Sequence, residues 1–172
     1  MFETKPYDAR ELANFLLDRS ETSGAPLSIT SLLKIIYFAH GWHLAQFGNP
    51  LIGQPFEAWQ HGPVVRVVYD SFKTESGRPI KTRAKKLNPK TGIYEVCHYS
   101  FGDELTLFLE RILASYSKHH PYTLSEMTHD PDSPWAEIWI KSETESVPGM
   151  RISDKSIQSY FLTLNRADLY RS

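Results

Sequence analysis

The chain has 172 residues, 41% of them apolar types and 23% charged, which fits one ordinary globular domain with enough length to bury a core without staples. Nineteen basic residues stand against 20 acidic ones, so the net charge is −1 and no long-range field favours DNA, an anionic membrane or a basic substrate. Cys97 is the only cysteine, which excludes an intrachain disulfide framework and a Cys-rich zinc site and suits a reducing cytoplasm.

The N-terminal stretch MFETKPYDARE carries charge on both sides and has no apolar core, so it is not a secretory signal. Asp8-Ala9-Arg10-Glu11 then reads as a capping box, with Ala9, Leu12, Ala13 and Leu16 following on one helical face. The polar stretch at 20–26 ends that helix. Ser28 is the expected cap of a second, carrying Ile29, Leu32, Leu33, Ile36, His40, His43, Leu44 and Phe47 at helical spacing until Gly48-Asn49-Pro50 stops it. Its apolar run at 35–39 is wider than one face, which predicts a central, largely buried helix. Residues 35–56 lack formal charge, yet two histidines, two prolines and several amides disqualify them as a bilayer span.

Phe56, Ala58 and Gln60 alternate with Glu57, Trp59 and His61, the period of a short strand. Gly62-Pro63 then reads as the start of a helix carrying Val64, Val67, Val68 and Phe72, since proline suits the first helical position, with Gly77 ending it. Residues 78–90 hold Arg78, Lys81, Arg83, Lys85, Lys86 and Lys90 and no acid. With the turn-forming Asn88-Pro89-Lys90-Thr91-Gly92 and a strand at 93–99, they predict a mobile basic hairpin pairing beside the Phe56–Trp59 strand. Leu105, Phe108, Leu109, Ile112, Leu113 and Tyr116 mark the cleanest helix. Thr123-Leu124-Ser125-Glu126 reads as a second capping box opening a short helix. Ser133-Pro134 opens another through Trp135, Ile138 and Trp139. After a polar loop at 141–149, Ser153 caps a last helix with Ile157, Tyr160, Phe161 and Leu164. The expected fold is mostly α (α+β): a compact helical domain over 1–172 with a small antiparallel β element and a basic hairpin insertion at about 78–99.

Catalytic signals are sparse. His40 and His43 lie three apart and could face one side as a zinc pair, but Gly41 and Trp42 between them match no zinc-protease motif, and core or interface histidines are the plainer reading. His119, His120 and His129 read as turn and cap residues. Cys97 and His98 are strand neighbours pointing to opposite faces, so they form no dyad. The scattered glycines make no phosphate loop, and Glu57, Asp130 and Asp132 have no evident acid–base partners. A metal-dependent hydrolase is therefore an alternative only, and no cofactor, metal ligand or catalytic residue is assigned. The basic stretch with Tyr94 and Tyr99 raises a nucleic-acid alternative, against which stands the neutral chain. An acidic protein partner fits it at least as well. Of 22 aromatic residues, Trp42, Trp59, Trp135 and Trp139 adjoin polar or turn positions, where half-exposed indoles act as interface anchors.

Residues 31–42 (SLLKIIYFAHGW), 56–65 (FEAWQHGPVV), 124–139 (with SPW at 133–135) and 152–161 together resemble the Panacea domain of SocA-like antitoxins, a family that includes phage-associated proteins. The resemblance runs over nearly the whole chain, and its most specific block is Phe56-Glu57-Ala58-Trp59 followed by Gly62-Pro63-Val64-Val65. It implies a mostly helical fold and a non-enzymatic role, the antitoxin half of a toxin–antitoxin pair. The implied partner is a cognate protein toxin, encoded by a neighbouring gene, with a protease as a further partner if the chain serves as a proteolytic adaptor. Many antitoxins carry an added DNA-binding domain, for which residues 1–6 and 166–172 are not expected to leave room. The candidate contact surface is the corner formed by Trp59, His61, Gly62, Pro63 and Arg66, with Trp135. For Gly62 and Pro63 a purely structural corner, and for Trp135 a core plug, are the competing readings.

Overall fold

A computed structural model describes residues 5–165 and 167, which form seven α-helices. They are α1 (Ala9–Thr22), α2 (Ile29–Phe47), α3 (Arg66–Phe72), α4 (Asp103–Tyr116), α5 (Pro121–Glu126), α6 (Pro134–Ser142) and α7 (Asp154–Thr163). A three-stranded antiparallel sheet has the order β2-β1-β5, from β1 (Phe56–Trp59), β2 (Gly62–Val64) and β5 (Arg151–Ile152). A separate two-stranded hairpin pairs β3 (Lys85–Leu87) with β4 (Tyr94–Val96). The fold is thus mostly α with a small antiparallel β part. No helix among the described residues is long and apolar enough to cross a membrane.

Every residue at positions 31–44 of α2 is buried, as its all-round hydrophobicity demands. Ser28 caps it through Ser31 N–H, and Gly48 closes it in the left-handed conformation at φ 75°. Its most extensive neighbour is α7. The close approach is made at Gly41, where a Cβ would overlap the Phe161 ring. On another side, Phe38 stacks on Tyr116 of α4 with ring centroids 4.2 Å apart, and Trp42 donates its indole N–H to the Tyr116 hydroxyl at 2.8 Å. Tyr37 meets Phe56 of β1 edge-on at 5.3 Å. The helical apolar sets expected for α1 and α4 face this core, as do Ile157 and Phe161 of the set expected for α7.

Several local expectations are revised. Asp8 does cap α1, accepting from Arg10 N–H at 2.9 Å, but Glu11 does not close a capping box. Its carboxylate instead meets Lys86 Nζ at 2.9 Å, and Gln54 takes the Ala9 N–H. Pro63 begins no helix: it pairs opposite Ala58 in β2, an edge strand where a missing N–H costs no ladder bond, and α3 starts at Arg66. Thr123 opens no helix either. α5 already begins at Pro121, capped by His120 Nδ1, because proline at the first helical position fixes the start. The hairpin does not lie beside β1, both of whose edges are taken by β2 and β5. It is fastened to α1 instead, where Asn14 donates to the carbonyls of Ala84 and Cys97 and accepts from Ala84 N–H. Its strand is also shorter than 93–99.

Substituting Gly41 by Ala should overpack the α2–α7 contact and cost about 1–3 kcal/mol. At about 2–4 °C per kcal/mol for a chain of this size, thermal unfolding followed by circular dichroism should show the drop. Combining it with Phe161→Leu, which removes the overlapped ring edge, should recover part of the loss.

Candidate partner-binding site

The corner formed by β1, β2 and α3 is held from below and open above. Trp59 pairs with Gly62 across a two-residue connection, Gln60-His61, and Gly62 adopts φ 105°. Only glycine suits this position, for two reasons. L side chains rarely take that φ, and a Cβ there would collide with Thr128 Oγ1 and lie 2.8 Å from Lys34 Cε. Thr128 is itself fixed: its hydroxyl donates to the Ser125 carbonyl, and its carbonyl accepts from Ser133 Oγ. Ser133 Oγ also caps α6 through Ala136 N–H, so one serine joins the α5 end to the α6 start.

Lys34 lies under this corner with 2% exposure and donates through Nζ to the Pro63 carbonyl at 3.1 Å. Burial pushes its ammonium down to about 7, because a charge is expensive away from water. His129 sits on the same side, stacked on Trp135 with centroids 4.0 Å apart, and burial lowers its pKa.

Above the frame, Glu57 forms a two-pronged pair with Arg66, Nη2 to Oε2 at 2.7 Å and Nε to Oε1 at 3.1 Å. The same Oε2 accepts the Trp59 indole N–H at 2.8 Å. The guanidinium stands 5.2 Å from the Trp59 ring, and Tyr69 meets that ring edge-on at 4.8 Å. One carboxylate thus orients both a cation and an indole, while Arg66 keeps a 58% exposed side chain. A planar guanidinium held this way loses little further freedom on meeting a partner.

All six residues expected at this surface are brought together, but not in one role. Trp59 is half-buried, His61 and Arg66 are exposed, and Gly62 and Pro63 are buried frame. Trp135 is also buried, at 8% exposure, and its indole N–H donates to the Trp59 carbonyl at 2.7 Å, so it braces the corner from inside. The four tryptophans are not a common set of half-exposed anchors. Trp42 belongs to the core at 3% exposure, whereas Trp139 stacks on Trp135 at 5.4 Å and stays partly exposed. Lys34, Thr128 and Tyr69 were not singled out by sequence. A charge inside the apolar run LLKIIYFA was the available signal for Lys34; Thr128 and Tyr69 had none.

The histidines of α2 are committed to structural bonds. His40 Nε2 donates to Asp154 Oδ1 at 2.9 Å while Nδ1 accepts from Ile52 N–H at 3.4 Å. His43 Nδ1 donates to the Asn49 carbonyl at 2.8 Å, and burial pushes its pKa down to about 4. Among the described residues no three His, Cys, Asp or Glu side chains are grouped to hold a metal ion. In the basic stretch, Arg83 pairs with Asp18 and Glu21, and Lys86 with Glu11, so α1 neutralises two of its six cations.

The family model described as "Antitoxin SocA-like, Panacea domain" matches residues 32–136, from α2 to the start of α6. The chain is also 34% identical to Antitoxin SocA of Caulobacter vibrioides over 154 residues, which cover 90% of this chain and 82% of that protein. No solved structure matches it.

Lys34 gives a pH signature. Its pKa is depressed in the folded chain to about 7, against the ordinary value of 10.5, so between these limits the unfolded chain binds more protons. Stability should therefore rise with pH from about 7 towards 10, with a slope of at most ~1.4 kcal/mol per pH unit for one proton. Below 7 the cost of the buried ammonium is fully present. Chemical denaturation at pH 7, 8 and 9 should show the rise in the wild type, and Lys34→Met should flatten it. An equal rise in both proteins would assign the titration to other groups.

Proposed function

We propose that this chain, which belongs to the SocA-like Panacea family of antitoxins, neutralises a cognate protein toxin by binding it directly rather than by catalysis. The relationship to Antitoxin SocA, spread over 90% of the chain, carries this reading. The proposed contact surface is the β1–β2 corner, with Arg66, Trp59 and His61 as the groups that reach the toxin. Gly62, Pro63 and Trp135 act beneath them as the frame.

The geometry supports this choice on physical grounds. Arginine and tryptophan are enriched among the few residues that dominate protein–protein binding energy. Here both are oriented in advance by Glu57, so a partner need not supply their ordering cost. The Glu57 carboxylate has only 13% of its side chain exposed, which strengthens its hold on Arg66. A toxin that lays a carboxylate or an aromatic face against this rim meets a cation and a half-exposed indole in fixed positions.

The test begins with the neighbouring open reading frame, expressed alone and together with this chain. Growth arrest by the neighbour alone and rescue by this chain are the expected results; a harmless neighbour, or arrest that persists, sinks the antitoxin reading. Arg66→Ala and His61→Glu, both on exposed side chains, should each weaken binding to that gene product at least tenfold, about 1.4 kcal/mol. His61→Glu should leave the thermal midpoint within about 2 °C of wild type. Arg66→Ala unpairs the shielded Glu57 carboxylate and should lower it by a few degrees, at about 2–4 °C per kcal/mol, with the chain still folded at the temperature of the binding assay. Rescue undiminished by both substitutions would move the surface elsewhere on the chain. A toxin half-life that shortens only when a cellular protease is present would replace sequestration by delivery to that protease.

A further inference from the structure

The β3–β4 hairpin has two unlike faces. Its inner face is closed by buried Ala84 and Cys97, by the Asn14 amide bonds, and by the Lys86–Glu11 pair. Its outer face carries two cross-strand pairs, Lys85 opposite Val96 and Leu87 opposite Tyr94. Three of these four are apolar and open to solvent: Leu87 at 50%, Tyr94 at 66% and Val96 at 38%. Apolar residues exposed singly are ordinary, but this is a strip of adjoining side chains on one short ribbon.

The backbone of the same ribbon is also open. Cys97 N–H donates to the Ala84 carbonyl at 2.9 Å and Asn88 N–H to the Ile93 carbonyl at 2.8 Å. In an antiparallel ladder bonded and non-bonded pairs alternate. Lys86 opposite Glu95 is therefore a bonded pair, while the N–H and C=O groups of Tyr94 and Val96 point away from β3. They have no partner among the described residues. Edge strands are usually protected by lysine, proline or a bulge. β3 has Lys85 and Lys86, but the β4 sequence Tyr94-Glu95-Val96 has none of these, and Glu95 is turned to the Asn88 side-chain amide.

Charge selects the partner. Arg83 and Lys86 are spent on α1, whereas Lys81, Lys85 and Lys90 have no ion pair among the described residues. The hairpin thus offers an apolar strip with uncompensated cations and an open strand edge. We propose that an extended, acidic and apolar segment of the toxin adds to the free edge of β4, pairing with the Tyr94 and Val96 backbone and laying apolar side chains over Leu87 and Tyr94. Its acids then meet Lys85 and Lys90. Strand addition takes affinity from main-chain bonds and specificity from the alternate side chains. A protein segment is favoured over nucleic acid because an open strand edge pairs with a peptide backbone, and because α1 already occupies Arg83 and Lys86, which leaves few cations to displace counterions from phosphates. The inference rests on the antitoxin reading and adds a second contact to it.

The experiment uses the purified full chain and the purified product of the neighbouring gene. Lys85→Glu combined with Lys90→Glu should weaken binding at least tenfold and lessen its dependence on salt, with an unchanged thermal midpoint. Val96→Pro removes an N–H that points out of the ladder, so the hairpin keeps its own bonds while binding falls at least tenfold. If proline lowers the midpoint, the lysine pair alone decides. Wild-type binding that the lysine-pair variant retains within twofold overturns the hairpin surface and leaves the antitoxin reading standing. No binding by the wild-type chain sinks both. Two further results also overturn the proposal: tight retention of a 20-base-pair duplex that the lysine substitutions abolish, and a dimer in sedimentation that Val96→Pro splits.

Discussion

The rest of the structure is arranged around one constraint, a helix with no face for solvent. Across positions 31–44 α2 is buried on every side, and a helix that apolar must be surrounded rather than merely docked. Gly41 admits the Phe161 ring of α7, Phe38 and Trp42 take Tyr116 of α4, and Tyr37 takes Phe56 of β1. Close-packed interiors tolerate little change in volume, so these aromatic contacts fix the positions of three neighbouring elements at once.

The polar side chains within α2 then decide what those elements do. An unpaired buried polar group is costly, and three of these side chains draw partners to defined places. His40 draws Asp154 at the start of α7, His43 the Asn49 carbonyl beyond its own helix, and Lys34 the Pro63 carbonyl at the sheet corner. The last pairing trades stability for position. A lysine buried under a turn costs stability, yet it holds a backbone whose outward side presents Arg66 and Trp59. Departures from the most stable choice are found where a site must be held in place. Around this corner, Trp135 and Thr128 supply the same bracing from α6 and the end of α5.

α1 plays the corresponding part for the hairpin. Asn14, Asp18, Glu11 and Glu21 bind its inner side, so a short ribbon that would be marginal alone is anchored. That anchoring divides its cations into paired and unpaired groups and leaves one apolar face outward. The same hydrogen bonds that make the hairpin part of the fold make its outer edge available.

Sequence alone determined α1, α2, α4, α6 and α7, because their signals are local. Apolar spacing marked α1, α2, α4 and α7, and Ser28, Ser133 and Ser153 marked three starts through bonds spanning only a few residues. It also marked the blocks around Trp59 and Trp135 that carry the family likeness. It misassigned Pro63, Thr123 and the capping role of Glu11, since each had a plausible local reading that a distant or neighbouring partner overrode. Glu11 is drawn to Lys86, and Pro63 is held by Lys34. The division of the tryptophans, the place of the hairpin and the bracing of the corner were decided only by tertiary structure. Whether an indole is core or rim depends on what packs over it, and the residues that do so, such as Tyr116 over Trp42, lie far away in the chain.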